Sequence, residues 1–131
     1  MIDTSERAIN EAEAWLVSAK DKLALSEGDD GAASVCCALA IHAIIRANDA
    51  ISLKFLRLKA TRHDDASAMF SKALKQGKLG SENRRFFRLI QQAMSDKSGA
   101  DYGKKMFHYD DAKKYVEEAE EFVSVVKGAV K

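Results

Sequence analysis

Three polar residues lie on one face of the most apolar stretch of this chain. His42, Arg46 and Asp49 stand at i, i+4 and i+7, a spacing that lines side chains up along one side of an α-helix. Asn48 lies alongside. Polar groups in the middle of an apolar helix are costly unless partnered. Two readings follow. Arg46 pairs with Asp49 and His42 bonds a neighbouring helix, or the stripe lines a pocket or a dimer groove and contacts a phosphate or a base.

The other histidines stand at element boundaries. His63, in TRHDDA, precedes a third helical segment, where a turn or cap role competes with a functional one. His108, in MFHYDDA, opens the last segment, with Tyr102, Lys104 and Lys105 nearby. No Ser or Cys has a His and Asp at a triad-like motif spacing, and there is no phosphate-binding glycine loop and no HExxH. Cys36 and Cys37 are adjacent. On a helix they point about 100° apart, a poor geometry for a disulfide, and their apolar surroundings predict buried free thiols. No cluster of Cys and His completes a zinc site, so neither a metal nor a cofactor is expected.

The elements that must position these residues are all helical. Period-3.6 reading gives a helix over about 5–26, capped by Thr4 or Ser5 and ended by Gly28, Asp29 and Asp30. A second runs over about 31–58; its first half, AASVCCALAIHAII, is apolar almost all round, as the central helix of a bundle is. A third runs over about 64–76, with Met69, Phe70, Ala73 and Leu74 inward. A fourth runs from a Ser81 cap to about 96 with Phe86, Leu89, Ile90, Ala93 and Met94 inward, followed by a loop through Ser98, Gly99, Asp101 and Gly103. The fifth, over about 110–130, buries Ala112, Tyr115, Val116, Ala119, Phe122, Val123, Val126 and Val130. The expected fold is all-α: one domain over 1–131, an up-and-down antiparallel bundle of about five helices.

At 131 residues, 47% apolar and 31% charged, the chain is long enough to bury a core without a covalent staple. It has no proline, which long helices tolerate. Reduced thiols, an acidic N-terminus without a leader pattern, and an apolar run broken by Ser34 and His42 give the expectation of a cytoplasmic protein with no membrane partner. Charge is uneven. Residues 1–53 carry four basic and nine acidic side chains, residues 54–105 thirteen and five, and residues 106–131 four and six. The basic middle is either a face neutralised by the acidic ends or an anion-binding or RNA-binding surface. Arg84 and Arg88 share a face while Phe86 and Ile90 turn inward, and Lys97, Tyr102, Lys104 and Lys105 follow. If nucleic acid binds, these residues are where it is expected, unless the arginines pair with Glu11 and Glu13 or with Glu117–Glu121.

GAASVCCALAIHAIIRANDAISLKFL, with its small-residue run, His42-Ala43 and the polar pair Asn48-Asp49, resembles the second helix of HEPN-domain proteins. His63-Asp64, then Ala100-Asp101-Tyr102-Gly103, then Asp111-Ala112, Ala119, Phe122 and Val126 follow in the family's order, from about residue 10 to residue 130. The resemblance implies a helical bundle that dimerises, and the second helix has more apolar surface than one neighbour can cover, so the expected interface includes parts of the second and fourth helices. It also implies, for many members, a metal-independent endoribonuclease paired as a toxin with a nucleotidyltransferase partner.

The family's signature, Arg, four to six residues, then His before the last helix, is absent. Lys97, four residues and Tyr102 stand there; no arginine follows Arg88 and the one later histidine is His108. Arg57 and His63 have the spacing in the wrong place. The histidine would move the proton of the 2′-hydroxyl or of the leaving oxygen, and the arginine would hold the phosphorane charge with a fork that lysine lacks. The resemblance therefore implies a catalytically degenerate bundle binding nucleotide, RNA or a protein partner, for which the α2 face and the basic segment offer His42, Arg46, Asp49, Arg84, Arg88, Lys104 and Lys105. The alternatives are a ribonuclease with a shifted site at Lys97, Tyr102, Lys104 and His108, and a purely structural interaction subunit.

Overall fold

The structure, a computed structural model, describes residues 3–57, 63–103 and 105–131. Five α-helices carry the fold: α1 (Thr4–Leu23), α2 (Asp30–Ile51), α3 (His63–Lys75), α4 (Phe86–Tyr102) and α5 (Tyr109–Val130). A π-helical turn, Ser52–Leu56, extends α2, and a 3₁₀ turn, Ser81–Arg85, leads into α4. Among the described residues there is no strand.

The hydrophobic stripes account for the packing. All eight stripe residues expected on α5 are buried. At about 1.5–3 kcal/mol for each large side chain removed from water, such stripes drive assembly. Phe122 sits at their centre, with ring centroids 6.0 Å from Phe70 on α3 and 5.0 Å from Phe86 on α4. On α1, Ala8, Ala12 and Ala19 are fully buried, and such small side chains let helix axes approach closely. α2 is central: it packs against α1, α3, α4 and α5. By length and a mean hydropathy of 1.4, Asp30–Leu56 would pass as a membrane span. Its packing against four helices gives that apolarity a use inside the bundle.

Cross-helix contacts fix the directions. Arg46 meets Glu11 and Cys36 meets Ala19, so α1 and α2 are antiparallel. Lys20 meets Glu120 and Lys127 meets Glu13, so α1 and α5 are antiparallel. Asp96 meets Tyr115 and Arg85 meets Glu121, so α4 opposes α5. The up-and-down order is thus carried by α1, α2, α4 and α5, and α3 packs on α4 and on the end of α2.

Several boundaries differ from the sequence reading. Asp3, not Thr4 or Ser5, caps α1: its Oδ1 accepts from the Glu6 N–H at 2.9 Å. Asp29 does not end α1; it caps α2 by accepting from the Ala32 N–H at 3.0 Å. α2 stops at Ile51, short of 58, and the chain turns out of the π-turn at Arg57, whose φ is 62°. The largest difference is α4, which begins one 3₁₀ turn after Ser81 and runs on through Ser98 and Gly99, where a loop was expected. A mid-helix glycine costs about 1 kcal/mol. Burial of Ala93, packing of Ala100 on the core, and the bonds that Lys105 and Tyr115 make to Asp96 favour the continued helix. Gly103, at φ 66°, supplies the left-handed residue that ends the helix.

Candidate anion-binding groove

α3 and α4 form a hairpin, and a groove of about 600 Å³ opens between them. Ser71, Leu74 and Lys75 line it from α3; Arg84, Phe87 and Arg88 line it from the α4 side. Each is placed by the pattern of its own helix. Phe70 and Ala73 are buried on α3, and Phe86, Leu89 and Ile90 on α4. The residues beside them, Leu74 and Phe87, are left half-buried at the seam, and Lys75, Arg84 and Arg88 are left in solvent. A second hollow of about 340 Å³ continues along α3 past Lys72 and shares Ser71, Lys75 and Phe87 with the first.

The groove is cationic with few counter-charges. Between Ser67 and Arg88 the chain has six basic side chains, Lys78 among them, and one acidic one, Glu82. Arg85 is engaged: its Nη1 donates to Glu121 at 3.0 Å, and its guanidinium lies 4.1 Å from the centroid of the Phe86 ring. Among the described residues Lys72, Lys75, Arg84 and Arg88 make no ion pair. The structure therefore brings Arg84 and Arg88 together as the sequence suggested, and adds Lys72, Lys75 and Phe87, which sequence reasoning missed. The available signal was the i, i+3 pair of lysines on the outer face of an amphipathic α3. Only the hairpin brings Lys75 to the arginines and leaves Lys72 on the adjoining hollow.

The α2 stripe is engaged within the bundle. The Arg46 guanidinium donates to both carboxylate oxygens of Glu11 at 3.3 Å and to Asp49 Oδ2 at 3.1 Å. Partial burial opposes its charge, but these bonds outweigh it and raise its pKa. His42 stacks on Trp15, centroids 4.8 Å apart. Asn48 Nδ2 donates to the Ala66 carbonyl at 3.0 Å and ties α2 to α3, while its buried Oδ1 accepts no bond among the described residues.

The candidate catalytic residues are spread out. His108 caps α5: its N–H donates to Asp111 at 2.9 Å and its ring Nδ1 faces Asp30 at 3.1 Å. That bond raises the His108 pKa. Lys97 is half-buried on α4. Lys104 and the side chains of Tyr102 and His63 lie outside the described residues. Lys105 donates to Asp96 at 3.0 Å, with its ammonium 5.2 Å from the centroid of the Phe107 ring. Asp96 is buried and also accepts from Tyr115 Oη at 2.5 Å. Burial, then this bond to the carboxylate, push the Tyr115 hydroxyl far above its ordinary pKa. Asp96, Lys105 and Tyr115 border a polar hollow of about 120 Å³. The sequence held a clue to this pair, because a tyrosine in a buried stripe needs a partner for its hydroxyl.

No protein-family model matches the chain, and no curated protein matches it.

Proposed function

We propose that the protein is a HEPN-like binding module without ribonuclease activity that engages RNA or nucleotide through the α3/α4 groove. The observation that carries this reading is a set of four cations, Lys75, Arg84 and Arg88 lining the groove and Lys72 the hollow that adjoins it, without carboxylate partners among the described residues. Structural ion pairs hold Arg46, Lys105 and Arg85; these four are left to meet an outside anion. The loss of activity is supported by Lys97 standing for the family's arginine and by His108, which is occupied as a cap and bound to Asp30.

The module is a homodimer in this reading, available to a nucleotidyltransferase-type partner. Its dimer face is better placed on α1 and α2 than on α2 and α4. Trp15 and Val35 are 37% and 47% exposed, and Val35, Leu39 and His42 share one side of α2. The exposed side chains of α4 among the described residues are polar.

Fluorescence anisotropy with labelled RNA across a salt series, together with a cleavage assay in EDTA, tests the function. Salt-sensitive binding without cleavage is expected. Metal-free cleavage that disappears in His108→Ala would restore the enzyme reading, and absence of salt-sensitive binding would leave only the structural subunit. Light scattering that gives a monomer would remove the dimer.

A further inference from the structure

We infer that the groove is selective for single-stranded nucleic acid and that Phe87 is the residue that reads the unpaired base. The inference rests on the proposed α3/α4 binding function and goes further, to the form of the ligand and the aromatic contact. The two hollows share a boundary made of Ser71, Lys75 and Phe87. Lys75 supplies charge at that boundary, and Phe87, half-buried and packed on the core, lines both hollows. Beyond it lie Arg84 and Arg88 in one direction and Lys72 in the other. A run of cations on either side of an aromatic ring is the arrangement that holds a backbone at its phosphates while a base stacks between them.

The walls argue for the strand state. A cleft of about 600 Å³ between two packed helices is of the size that takes small organic groups. A paired, stacked base has no free face to offer Phe87, whereas an unpaired one does. A purely ionic ligand such as polyphosphate would use the arginines and leave Leu74 and Phe87 without a role. An acidic peptide would meet the charges but gain less from a flat ring than a base does.

The test compares three probes on the whole protein: a labelled single-stranded oligouridylate, an RNA duplex of the same length, and inorganic polyphosphate as competitor. Phe87→Leu keeps the apolar packing and removes the flat ring; Phe87→Tyr keeps the ring. The wild type is expected to bind the single strand more tightly than the duplex. Phe87→Leu is expected to weaken single-strand binding about 5- to 150-fold, the range for removal of one base stack, with the salt slope and melting temperature unchanged. Phe87→Tyr retains the affinity. Phe87→Leu binding as the wild type does, or a duplex preference, overturns the inference while the Arg84→Ala/Arg88→Ala effect keeps the binding function in place. Absence of salt-sensitive binding to any of the three probes overturns both.

Discussion

Replacing Arg84 and Arg88 together with alanine separates a binding surface from a structural one, and Arg46→Ala is its natural control. Arg84 and Arg88 are exposed and make no ion pair among the described residues. Their removal takes little from the core, and the melting temperature should move by less than about 2 °C, as for surface substitutions generally. Each phosphate of a single strand that no longer meets a cation reduces the slope of log K against log salt by about 0.7. Two such phosphates give about 1.4, so the affinity gap between wild type and variant should shrink about sevenfold from about 50 to 200 mM salt. At low salt two exposed ion pairs contribute up to about 2 kcal/mol, or up to about a 30-fold loss. Arg46→Ala should do the reverse. It leaves Asp49, whose side chain is 11% exposed, without its guanidinium. A bond to a nearly buried carboxylate contributes about 1.5–3 kcal/mol, equivalent to roughly 5–15 °C in a domain of this size. RNA affinity should not change. Anisotropy and thermal melts on the same samples read both quantities. Unaltered RNA affinity with a lowered melting point in Arg84→Ala/Arg88→Ala would refute the groove, and unaltered stability in Arg46→Ala would refute the structural role of the α2 stripe.

Other outcomes follow from the remaining polar contacts. Tyr115→Phe should cost about 1.5–3 kcal/mol in urea unfolding, because it removes a hydrogen bond to the buried Asp96 carboxylate; an unchanged midpoint would show that bond to be idle. The His108 pKa is raised above its ordinary 6.5 by the bond to Asp30. That contribution to stability is fully present below pH 6.5 and is lost as pH rises through the folded value. The wild type should therefore exceed His108→Gln in stability at acidic pH and match it at alkaline pH, and a constant difference would exclude the linkage. Burial pushes the Cys36 and Cys37 thiols up to about 11 and about 12. Both should resist a thiol reagent at pH 8 in the native state and react at once in urea; rapid native labelling would contradict their burial.

The sequence by itself determined the helices and their inward faces. The α5 stripe from Ala112 to Val130 is buried residue for residue, Asp65 stands at the start of α3, and Ala33, Cys36, Cys37, Ala40 and Ile41 of α2 are buried while Val35 is left exposed. Helical periodicity is a one-dimensional signal, and burial of an apolar stripe is the largest favourable term, so fold class follows from it. The pattern also offered Asp49 as the partner of Arg46, since residues three apart on a helix are neighbours. Contacts that depend on how one helix slides past another were left open. Only the tertiary structure brought Glu11 to Arg46, set Asp96 under Tyr115, carried α4 through Gly99, and turned Lys75 of α3 toward Arg84 and Arg88. The reason is physical: a polar face is satisfied by water in almost any register, so the pattern does not say which charge faces which. That choice is made by the packing of the buried faces, and the groove is a by-product of the α3/α4 register that Phe70, Phe86 and Phe122 fix beneath it.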